Sequence, residues 1–66
     1  MILILNGKQE AVEGVVTVAE LVAEKKLCPE KIVLEHNFHI LSREDWSKVA
    51  LRDGDTVEIV SFVGGG

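Results

Sequence analysis

Sixty-six residues, 47% of them hydrophobic and 27% charged, with a net charge of −4 and a single cysteine, describe one small aliphatic globular domain with too little chain for a second module. No Lys/Arg cluster offers a footprint for phosphate backbones or anionic lipid, no apolar run approaches the ~20 residues that span a bilayer, and no basic segment precedes a cleavable apolar stretch. Nucleic acid and membrane are therefore not expected partners, and Cys28, with no second cysteine to pair with, suits a reducing, cytoplasmic compartment.

The chain opens with a β-rich segment, Met1 to Leu5, that meets Asn6-Gly7. That dipeptide favours a tight hairpin because both residues tolerate positive φ. A second strand is expected to pair back over Glu10 to Val16, with Gly14 as a bulge or bend inside it. Thr17 and Glu20 have the spacing of a capping box, so a helix should start here. Val18, Leu21 and Val22 fall on one face of it, with Glu20 and Glu24 outside that stripe. Pro29 biases Cys28 away from the helical region, which predicts an end near Lys26 or Leu27.

A third strand is predicted over Lys31 to Glu35, a turn at His36-Asn37, and a paired extended piece over Phe38 to Leu41. Ser42, with Asp45 three residues on, resembles an N-cap and predicts one or two helical turns, α or 3₁₀. Asp53-Gly54-Asp55 signals a turn, and the β-branched run Thr56 to Val63 reads as the last strand. A hairpin, a crossing helix and further strands make an α+β layer: one mixed sheet with one main helix packed on one face.

In the last strand Val57 and Ile59 alternate with Glu58, Val60 and Phe62. A carboxylate on the helix-covered face would be costly, so Val57 and Ile59 should point inward and Val60 and Phe62 outward. Single exposed apolar side chains need no explanation. Here Val60 and Phe62, with Val63 leading on from them, adjoin the end of the sequence and predict a docking surface. Gly64, Gly65 and Gly66 follow; three glycines can neither continue a sheet nor pack on a core, so a mobile tail is expected. Extended, it reaches roughly 10 Å and would pass a channel that excludes every side chain. A frayed end or a cloning remnant is the other reading of such a tail.

Elsewhere the candidates are weak. Cys28 sits beside Pro29 with no His or acid placed near it by sequence, and is expected to be a half-buried structural thiol. His36 and His39 would need at least one or two more ligands to hold zinc. Trp46 is expected at the core edge with its N–H on a carbonyl, and Arg43 on a nearby carboxylate or carbonyl. No glycine-rich phosphate loop precedes a helix, so ATP is not expected to bind this chain by itself.

Taken together and in order, Asn6 after a short strand, Val18-x-Glu20-Leu21, Arg43-x-x-Trp46, Asp53-Gly54-Asp55 and the final Gly65-Gly66 resemble the sulfur carrier proteins of thiamine thiazole biosynthesis, in the ubiquitin-like β-grasp family. The resemblance runs end to end. It departs at Ser42, where the family often has Pro, and at the additional Gly64. It implies a ubiquitin-like β-grasp domain over residues 1–63 with a flexible tail over 64–66, monomeric when free, and a co-substrate rather than an enzyme. Gly66 would carry the chemistry, with Gly64 and Gly65 needed for access. An adenylating enzyme would join its carboxylate to AMP at the expense of ATP, a persulfide protein would supply sulfur, and the thiocarboxylate would donate it to a thiazole synthase. The chain itself would bind no cofactor. Two other classes stay open: a related carrier for another acceptor (molybdopterin, cysteine, tRNA) or a modifier of protein lysines, and a non-covalent β-grasp binding module. Molybdopterin carriers usually run longer.

Overall fold

The computed structural model describes residues 1–62. Asn6 (φ 50°) and Gly7 (φ 82°) make the expected two-residue turn with positive φ at both positions. It joins β1 (Ile2–Leu5) to β2 (Lys8–Ala11), in register from Leu5 opposite Lys8 to Ile2 opposite Ala11. The second strand thus begins and ends earlier than Glu10 to Val16. A two-residue turn forces pairing to start at Lys8, and β1 is only four residues long. Gly14 (φ 72°) bends the chain after the strand rather than bulging within it, and Val12 and Val15 drop into the core.

Helix α1 (Val18–Glu24) starts where the sequence places it. Both halves of the capping box are made: the Glu20 N–H donates to Thr17 Oγ1 at 3.2 Å and the Thr17 N–H donates to Glu20 Oε1 at 3.0 Å. Val18, Leu21 and Val22 are its buried stripe. The helix stops before Lys26, earlier than Pro29 alone would dictate. Lys26 adopts φ 57°, its N–H bonds Ala23 O at 3.0 Å, and the Leu27 N–H bonds Val22 O at 3.2 Å. These two bonds form a Schellman cap built on Lys26 instead of Gly.

After a 3₁₀ turn at Pro29–Lys31, β3 (Ile32–His36) and β4 (His39–Leu41) pair antiparallel across a turn at Asn37 and Phe38, both with positive φ. Each strand starts one residue later than predicted. Arg43–Asp45 is a single 3₁₀ turn. Ser42 does not cap it through its side chain; the hydroxyl donates to Asp45 Oδ2 at 3.1 Å, and the Asp45 N–H bonds the Ser42 carbonyl instead. The chain then runs along the helix N-terminus, where Val49 O and Trp46 O accept the Val18 and Ala19 N–H groups that an α-helix leaves without internal partners. The last strand is β5 (Thr56–Ser61).

The strand order is β2-β1-β5-β3-β4, with β1 and β5 parallel and the other neighbours antiparallel. Leu3, Leu34 and Val57 from the three central strands meet Val18 and Leu21 from the helix, all five fully buried. Trp46 and Leu51 close the edge of this core. Among the described residues no helix is long and apolar enough to cross a membrane.

Candidate functional site

Val63, Gly64, Gly65 and Gly66 lie outside the described residues; the strand that leads to them is β5, the middle strand of the sheet. It is held on both sides. Backbone pairing with β1 runs through Leu5 and Val57, the Asn6 N–H bonds Val57 O at 2.9 Å, and the Asn6 side-chain oxygen accepts the Ile59 N–H at 2.7 Å. On the other side β3 pairs from His36 opposite Val57 to Ile32 opposite Ser61, and the Phe62 N–H reaches Lys31 O at 2.9 Å. Asn6, legible in the sequence only as a turn residue, therefore also ties the strand that precedes the glycines.

The faces of β5 are as the alternation predicts. Val57 is fully buried and Ile59 packs against the core, whereas Val60 is 61% and Phe62 48% exposed on the side without the helix. Cross-strand register extends that surface. Val33 lies opposite Val60, and Ile40, Glu35 and Glu58 form one row across β4, β3 and β5. Ile2 and Ile4 share the face through the parallel pairing of Ile4 with Thr56. Ile2, Val33 and Ile40 are all exposed. These were missed from the sequence because Ile32-Val33-Leu34 is uniformly apolar, and only the pairing says which of its side chains point outward. On the helix side, Leu5, Asn6, Lys25, Leu27, Ile59 and Ser61 line a half-open cavity of about 230 Å³, with the Lys25 ammonium paired to Glu10.

The remaining candidates form no reactive centre. Cys28 is exposed rather than half-buried. Its thiol donates to Glu30 Oε2 at 3.1 Å, and that hydrogen bond, then desolvation and the Glu30 charge, pushes it up, away from the reactive thiolate. Arg43 has no ion pair among the described residues; its charge adds to the hydrogen bond from Cys28 in holding Glu30 below the usual carboxylate range. Trp46 donates its ring N–H to Leu41 O at 3.3 Å, as expected. His36 Nε2 donates to Asp55 Oδ2 at 2.7 Å and His39 Nδ1 to Asn37 O at 3.1 Å. The two histidines thus have separate partners, Asp55 just before β5 and Asn37 in the β3–β4 turn, and among the described residues no three His, Cys, Asp or Glu side chains converge as metal ligands.

Comparison with known proteins gives one consistent picture. A model of the ThiS family matches residues 3–66. The sulfur carrier protein ThiS of Bacillus subtilis (strain 168) is 38% identical over 63 residues, covering 94% of this chain and 96% of that protein. A thiazole synthase of Paramagnetospirillum magneticum is 36% identical over 66 residues, all of this chain, yet the chain spans only 20% of that protein's length. The crystal structure of a thiamine biosynthesis protein (ThiS) from Geobacter metallireducens superposes with a TM-score of 0.85 at 38% identity, each chain covered completely. The five-stranded mixed sheet with its single α-helix is thus a ubiquitin-like β-grasp.

Proposed function

The chain belongs to the ThiS family, and on that premise we propose that it is a sulfur carrier of thiamine biosynthesis, working in the cytoplasm as a co-substrate of other enzymes rather than as a catalyst. The family match extends from residue 3 to residue 66; it takes in Gly64, Gly65 and Gly66 as well as the sheet, and this observation carries the assignment.

The reacting group is the Gly66 α-carboxylate. An α-carboxyl ionises well below neutral pH, so this group is a carboxylate and a poor electrophile, because nothing departs from a carboxylate. It has to be activated. A carboxylate oxygen attacks the α-phosphorus of ATP bound by an adenylating partner, pyrophosphate leaves, and the acyl adenylate then carries AMP as its leaving group. A persulfide sulfur displaces AMP, and two electrons from a thiol break the resulting S–S bond, leaving a C-terminal thiocarboxylate. That anion is the nucleophile a thiazole synthase accepts. The relative of that name in which this chain's counterpart occupies 20% of the length favours such an enzyme as the acceptor.

In this scheme the chain's own part is presentation. Gly64 and Gly65 keep the approach to Gly66 free of side chains. Val60 and Phe62, with Val63 after them, offer the apolar surface on which a partner seats the domain. The test is intact-mass analysis after incubation with an adenylating enzyme, ATP and a persulfide donor. The expected result is one sulfur-for-oxygen exchange, lost on deletion of Gly66 with the melting midpoint unchanged. An unchanged mass with an enzyme active on its own carrier would reject the assignment.

A further inference from the structure

The cavity on the helix side of the sheet is a feature that the transfer chemistry does not use. Leu5, Leu27 and Ile59 give it aliphatic walls, and Asn6, Lys25 and Ser61 complete the lining. Two of its polar members are already engaged. The Asn6 side-chain oxygen accepts the Ile59 N–H at 2.7 Å, and the Lys25 ammonium is paired to Glu10, which stands outside the lining. What remains is a half-open, largely apolar recess of about 230 Å³, a place where an aliphatic side chain gains by leaving water.

Its position selects that side chain. Along β5 successive residues alternate between the two faces: Val57 is fully buried, Ile59 packs against the core, and Ser61, opposite the buried Ile32, lines the cavity. The next residue of that parity is Val63. Backbone pairing does not stop at the last residue of the strand, because the Phe62 N–H still bonds Lys31 O at 2.9 Å. Val63 is thus one peptide, about 3.8 Å from Cα to Cα, beyond a residue held in the ladder. Its parity also sets it apart from Val60 and Phe62, which are exposed on the other face.

We infer that in the free chain the side chain of Val63 occupies this cavity, packed against Leu27 and Ile59, so that the movable length is Gly64, Gly65 and Gly66 alone. Only one residue beyond Phe62 has to be ordered, which keeps the entropic cost to that of a single backbone unit and a side chain stiff at χ1. The free reach is then that of three residues, roughly 10 Å. A partner that draws the tail deeper has to lift Val63 out first, and only then does this side chain join Val60 and Phe62 in facing the partner. Nothing in the packing depends on which enzyme takes the tail.

The experiment uses the full chain, isotope-labelled for NMR. Nuclear Overhauser contacts are expected from the Val63 methyls to those of Leu27 and Ile59, and amide relaxation at Val63 should match that of β5, with mobility rising from Gly64 onward. Val63→Ala should lower the melting midpoint by about 3 to 6 °C. Leu27→Ala, which also takes a side chain from the core edge, should lower it further. The double variant should lose less than the sum of the two, because residues in contact share one interaction. A Val63→Ala chain that melts with wild type, additive losses in the double variant, or missing methyl contacts would each overturn the inference and leave the cavity to a side chain from a partner. Methyl contacts from Val63 to Val33 or Val60 would put it on the open face and overturn the inference as well. Sulfur gain in the mass assay tests the carrier assignment separately.

Discussion

The side-chain oxygen of Asn6 accepts the backbone N–H of Ile59 at 2.7 Å, continuing the β1–β5 ladder one rung beyond the last backbone pair, Leu5 with Val57. A residue that makes a turn at φ 50° thus also secures the strand that delivers the terminus.

Asn6→Ala should therefore lose twice, once through the unpaired Ile59 N–H and once through a Cβ residue less suited than Asn to positive φ. Each effect is worth about 1 kcal/mol, and the melting midpoint should drop by roughly 8 °C or more. Asn6→Asp keeps an acceptor oxygen and should lose distinctly less. Equal losses in the two variants, read by chemical denaturation, would mean that the hydrogen bond to Ile59 contributes nothing.

Phe38 occupies the second position of the β3–β4 turn at φ 72°, where a bulky residue is strained, and its side chain is 79% exposed. Phe38→Gly removes little burial and relieves the strain, giving the Asn-Gly pairing that such turns prefer. A gain of about 1 kcal/mol is expected after the entropy of glycine is set against the relief. A loss of stability on denaturation would show that the aromatic ring packs in a way its exposure conceals.

Burial works against the charge on Asp55, but hydrogen bonds from His36, the Arg52 N–H and Asn37 together outweigh it and hold the carboxyl below its usual range. A depressed folded-state pKa means that the unfolded chain takes up the proton first as pH falls. The stabilisation from Asp55 is complete above the unfolded value near 3.9 and is lost as pH drops below about 4 towards the folded value. Melting midpoints followed downward from pH 6 should fall less steeply in Asp55→Asn than in wild type across that acid limb. Parallel curves would mean that another carboxylate governs acid stability.

Val57 and Phe62 separate folding from recognition on one strand. Val57→Ala empties space in a fully buried position and should cost about 2 kcal/mol of stability. Phe62, 48% exposed, should lose about 1 kcal/mol or less on truncation. If the chain is adenylated as proposed, the reaction of Phe62→Ala at sub-saturating carrier concentration should nevertheless slow, by up to about thirtyfold for a binding hot spot worth about 2 kcal/mol. A silent Val57→Ala beside an unfolded Phe62→Ala would be incompatible with the placement of these side chains.

Local chemistry was legible from the sequence because it depends on neighbours in the chain. The Asn6-Gly7 turn, the Thr17 and Glu20 capping box, the helix stripe Val18, Leu21 and Val22, and the inward and outward sides of β5 each follow from spacing and side-chain type within a few residues. The proposal of Gly66 as the reacting residue rests on the sequence and its family resemblance, since Gly66 lies outside the described residues. Tertiary structure decided what depends on partners distant in the chain. The early end of β2 comes from the length of the strand opposite it, and the early end of α1 from a Schellman cap on Lys26, a residue type that does not announce positive φ. The central place of β5, the hydrogen bond from Ile59 to Asn6, and the alignment of Glu35 with Glu58 all arise from strand register. Register is fixed by which apolar faces can be buried together, and no local pattern in an aliphatic run such as Ile32-Val33-Leu34 records it.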